Sequence, residues 1–135
     1  MSKLLAALTL LLTLGACAVF TVDPNEIQRG SADGVTFTVP GRPTYDQVWA
    51  ASLKAMGQGM NVVSSHKPSG TIRSRIGSAP SGKVMALFIS PTDPRAAQYR
   101  IELVGKSPMG MGQPERHHPE YAVVAQNVQV ALEAK

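Results

Sequence analysis

Cysteine is almost absent from this chain. Its 135 residues hold one, Cys17, so no internal disulfide forms and the fold must stand on its core. Aromatic residues make up 5%, with a single tryptophan, and charged residues 16%. The nine acidic residues are scattered singly, which argues against paired carboxylates for acid–base work. A Gly-x-Ser-x-Gly elbow, a phosphate loop and a His-Glu-x-x-His pair are all missing. These absences predict a protein that is not an enzyme and takes no cofactor. Long apolar runs are missing too. The longest, Leu4 to Leu14, is eleven residues broken by Thr9 and Thr13. As a helix it covers roughly 16 Å, against about 30 Å of hydrocarbon, and is too short to span.

What is present at the start is ordered. Lys3 supplies a positive charge, the apolar run follows, and Gly15 and Ala16 are small. That is the layout of a secretory signal peptide over residues 1–16. Its end, Leu14-Gly15-Ala16-Cys17, resembles the lipobox of bacterial lipoproteins. The resemblance implies a diacylglyceryl group on the Cys17 thiol, cleavage between Ala16 and Cys17, and acylation of the new amino terminus. Several acyl chains on one residue anchor stably. The residue after the cysteine is Ala18, not Asp, which in such lipoproteins favours the outer membrane, facing the periplasm. The covalent lipid is the only non-protein group expected.

Removing Lys3 with the leader leaves twelve basic residues against nine acidic. An excess of about three charges is too weak to argue for nucleic acid. Residues 17–34, rich in Gly, Asp, Asn and Ser, have no sustained period and read as a lipidated terminus with a flexible tether. At random-coil dimensions the seventeen residues from Ala18 to Gly34 reach about 20–25 Å.

Residues 35–135 read as one α+β domain. In "VTFTV", Val35, Phe37 and Val39 alternate with threonines, as a half-buried strand requires. Thr44 and Gln47 fit a capping box opening a helix over about 45–56, with Gly57 at its end. Tyr45, Val48, Trp49, Leu53 and Met56 form its apolar stripe, which predicts Trp49 as a core anchor. Strands follow at "MNVVSS", "TIRSRI", "KVMALFIS" and "QYRIELVGK". The third is the most apolar and is expected at the sheet centre. "PTDPRAA" reads as a loop. A last helix opens at Pro119 and buries Tyr121, Val124, Ala125, Val128 and Leu132. The order β-α-β-β-β-β-α predicts two layers: a mostly antiparallel sheet with both helices on one face.

The stretch "YDQVWAASLKAMGQGMNVVSSHKPSGTIRSRI" resembles the helix-grip domain of the C subunit of the outer-membrane β-barrel assembly machinery, and other small envelope lipoproteins. The resemblance implies a helix-grip arrangement and a non-catalytic interaction role. That subunit carries two such domains, and this chain has room for one.

Three sites are candidates. Arg73, Arg75 and Arg100, with Lys106, are expected on a solvent-facing sheet surface that meets an envelope protein or anionic lipid head groups. Met109, Met111, His117 and His118 offer thioethers and imidazoles suited to copper, the rival function. The space between sheet and helices is the third, for an apolar ligand.

Overall fold

The computed structural model describes residues 22–31, 34–77, 82–93, 96–107 and 119–134. Five antiparallel strands form one open sheet: β1 (Val35–Thr38), β2 (Asn61–His66), β3 (Thr71–Ile76), β4 (Lys83–Asp93) and β5 (Ala96–Lys106). Their order is β1-β5-β4-β3-β2, so the most apolar strand is central, as its composition predicts. The helices are α1 (Tyr45–Gly57) and α2 (Pro119–Glu133). Both pack against one sheet face, giving the two-layer α+β fold.

Local chemistry explains most boundaries. At α1 the capping box is complete: Thr44 Oγ1 accepts from the Gln47 N–H, and Gln47 Oε1 accepts from the Thr44 N–H. The buried residues of α1 are Val48, Ala51, Ser52, Ala55 and Met56. The stripe is therefore centred on smaller side chains than the sequence suggests. Trp49 is only half-buried and packs at the rim of the core, a correction to its expected role as anchor. Small residues along α1 let it lie close to the sheet, which leaves the bulky indole at the side.

The core between the layers is filled by Met56, Ile72, Met85, Leu87, Ile101, Leu103 and Val128, each fully buried. Side chains occupy the space where a helix-grip ligand would lie. Two polar ties lock the layers. Ser74 Oγ donates to the Met56 carbonyl at 2.7 Å, satisfying an acceptor at the end of α1. The Gly105 N–H donates to the Tyr121 hydroxyl at 2.6 Å, pinning the start of α2 to the end of β5.

One polar atom in this core is costly. Ser52 Oγ is buried with no hydrogen-bond partner. Ser52→Ala removes the orphan hydroxyl and improves helix propensity, and is expected to stabilise the domain by about 0.5–1 kcal/mol. Urea unfolding midpoints of the two proteins check it. A lower midpoint would show that the hydroxyl contributes to folding.

The loop expected at "PTDPRAA" is much shorter. Strands β4 and β5 continue to Asp93 and from Ala96, with Pro91 opposite Tyr99 and a register shift between Pro91 and Asp93. Proline is tolerated there because β3 ends opposite Phe88, so no neighbour on that side needs the missing N–H.

Candidate functional site

The second face of the sheet departs most from the sequence reading. Val84, Ala86 and Phe88 of β4 and Val104 of β5 are buried on the side away from the helices. Their cover is the segment expected to be a free tether. Val22 and Ile27, each 4% exposed, complete this second cluster. Between them Pro24–Glu26 makes one 3-10 turn, capped by the Asp23 carboxylate on the Asn25 N–H. The tether assignment is therefore corrected from Val22 onward: the segment is a strap. A central strand apolar on both faces needs a second covering layer, and among the described residues the strap supplies it.

Side chains on the sheet tie the strap down along its length. The Arg75 guanidinium donates to the Val22 carbonyl at 3.5 Å and the Gly82 carbonyl at 3.3 Å. Lys106 pairs with Glu26 at 3.3 Å. Arg73 donates to the Ile27 carbonyl at 3.1 Å. The Glu102 carboxylate accepts from the Gly30 N–H, at 2.8 and 3.1 Å, and from the Ser31 N–H at 3.3 Å. At the far end Arg29 donates to the carbonyls of Ile89 (3.0 Å) and Ser69 (2.6 Å) and to Ser90 Oγ. Arg29 and Arg73 also lie against the Phe88 ring, 5.2 and 5.8 Å from its centroid.

The expected arginine surface is thus not a solvent-facing patch. Arg73 and Arg75 are half-buried, and each donates to a backbone carbonyl of the strap. Lys106 is exposed but holds the strap. Arg100 alone of the four is an exposed cation away from these ties, at the end of β1 opposite Thr38. Cys17, and the Met109, Met111, His117 and His118 set, lie outside the described residues.

Two grooves open at the end of the domain where the strap finishes. The larger, about 660 Å³, lies between the loop before α1 and the last turns of α2. Gly41 and Arg42 edge it, Lys54 and Gln47 flank it, and Ala131 and Leu132 give it an apolar wall. The second, about 480 Å³, is lined by Arg29, Tyr45, Ser69, Ser90 and Tyr99. Its two tyrosine rings sit 5.6 Å apart. Tyr45 donates to the Lys67 carbonyl, and burial pushes its hydroxyl above the usual tyrosine range, so it stays a neutral donor. Sequence reasoning missed both grooves, because their walls come from segments far apart in the chain.

Beside the second groove, His66 Nδ1 lies 2.8 Å from Ser69 Oγ. That hydroxyl also meets the His66 carbonyl and Thr71 Oγ1, at 3.2 and 3.0 Å. These contacts close the turn between β2 and β3 rather than free a nucleophile. Among the described residues no group of three His, Cys, Asp or Glu side chains is placed to hold a metal ion. No helix among them is long and apolar enough to cross a membrane. No family model matches the chain, and no curated protein matches it.

Proposed function

We propose that this protein is a lipid-anchored component of the bacterial cell envelope. It sits on the periplasmic side of the outer membrane and binds another envelope protein without catalysis. The anchor reading draws support from Leu14-Gly15-Ala16-Cys17 at the end of an apolar leader. The larger groove is the observation that carries the binding role. Its apolar wall at Ala131 and Leu132, with Arg42, Lys54 and Glu133 beside it, suits an extended segment of a partner carrying apolar and charged side chains. The polar groups of the sheet face hold the protein's own backbone and perform no chemistry on a substrate.

Site-specific crosslinking in intact cells tests this. A photoreactive residue at Arg42, on the groove rim, is expected to yield one discrete protein adduct. The same residue at Gln126, exposed on α2, is expected to yield none. Equal capture from both positions, or none from either, removes the groove as the contact.

A further inference from the structure

We infer that the sheet face beneath the strap is a peptide-binding site, which the protein's own residues 22–31 occupy. Its ligand in trans is an acidic segment of another protein, with two apolar side chains five positions apart, that takes the place of the strap. This is a second binding site. The Arg42 groove is built on the two helices, and the strap lies on the other face of the sheet.

Among the described residues no backbone hydrogen bond joins the strap to a strand; its backbone bonds run to near neighbours in the same segment. Sheet side chains grip its main chain instead. Arg75 and Arg73 donate to the Val22 and Ile27 carbonyls, and Glu102 accepts from the Gly30 and Ser31 N–H groups. These contacts read backbone, which any segment carries. The buried strap side chains are Val22 and Ile27, seated against Val84, Ala86, Phe88 and Val104. Asp23, Asn25 and Gln28 between and beside them are exposed. A clamp on the main chain with pockets for a few side chains is the general design of peptide recognition.

Charge selects the class of ligand. Arg73 and Arg75 lie opposite Ala86 and Val84, Lys106 opposite Val84, Glu102 opposite Phe88 and Arg100 opposite Ser90, so all five share the face that the strap covers. Four cations against one carboxylate make that face basic. The strap is acidic, with Asp23 and Glu26 against Arg29, and Glu26 pairs with Lys106 at 3.3 Å. Arg100 is exposed and takes no part in the ties, which leaves a cation for a more acidic ligand. Exchange is open to a segment held this way. The cluster under the strap is separate from the core between sheet and helices, so the strap can leave as a unit while that core stays folded.

The probe is a capped, fluorescent peptide of residues 22–31, followed by anisotropy on the full chain. Replacing both anchors, Val22→Ser with Ile27→Ser, loosens the strap and leaves the face intact. This double variant is expected to bind the peptide at least about tenfold more tightly than the parent, whose site is open for only a fraction of the time. A peptide with Asp23→Lys and Glu26→Lys is expected to bind the variant at least about tenfold more weakly. Equal affinity of parent and variant, no binding by a folded variant, or indifference to the peptide's charge overturns the inference. Capture of phosphatidylglycerol vesicles by the variant in place of the peptide overturns it too, and assigns the face to lipid. Should the variant not fold, hydrogen exchange in the parent decides. Excess peptide is expected to speed exchange at the Gly30 and Ser31 amides by trapping the strap-off state, with the β4 amides unchanged. Exchange at Gly30 and Ser31 that ignores the peptide overturns the inference.

Discussion

Ile27→Ala is expected to destabilise the domain by about 2–4 kcal/mol. Isoleucine truncation in a closed site loses the transfer energy of the removed carbons and leaves a void. Ile27 is 4% exposed, in a cluster with Phe88, Val84 and Val104. A residue in a flexible tether would lose nothing on truncation, so this substitution separates the strap from the tether that composition suggests. Urea unfolding, with midpoint and slope both fitted, is the measurement. Coincident curves for parent and variant would mean that the strap does not cover the sheet in solution. A large drop in slope would show the strap detaching before the domain unfolds.

Gly70→Ala is expected to be about as damaging, at about 2–4 kcal/mol, for a different reason. Gly70 ends the turn Lys67–Ser69 in the left-handed region, with φ +65°. A side chain there costs about 1–2 kcal/mol in backbone conformation alone. In addition its Cβ would stand 2.7 Å from the Ile89 carbonyl oxygen, and the Gly70 carbonyl already accepts from the Ile89 N–H at 2.8 Å. The clash pushes on the central strand, which has little room to yield. Gly41→Ala is the control. Its φ is +76° but nothing lies within 4 Å, so only the conformational cost applies, about 1 kcal/mol. Thermal or urea melts in which both variants lose the same amount would show that the close approach to Ile89 does not matter.

These two sites mark where reading the sequence succeeds and where it stops. The "KPSG" turn is legible because glycine after a proline-containing turn has a local reason. That Gly70 also abuts β4 is not legible, since Ile89 is nineteen residues away. The strap escapes notice because it is polar in composition, and Val22 and Ile27 fit no helical or strand period. One signal did point to it. "VMALFI" is apolar at every position, so β4 needs cover on both faces, while both helices pack on one. An arginine face meeting water conflicts with that run, and the structure resolves the conflict by covering the face.

By itself the sequence determined the elements and their inward faces. The capping box at Thr44 and Gln47, the alternation in β1, β3 and β5, and the central place of β4 all follow from short-range spacing. Those features depend on neighbours a few residues apart, whose geometry the backbone repeat dictates. The tertiary structure decided what long-range contact dictates. It set β1 beside β5, turned Arg73 and Arg75 from surface cations into strap ligands, placed Trp49 at the rim, and brought Arg42 within one groove with Leu132. Each of these rests on which distant segments come to share apolar cover. That choice is made by the whole set of buried faces at once, and no window of the chain contains it.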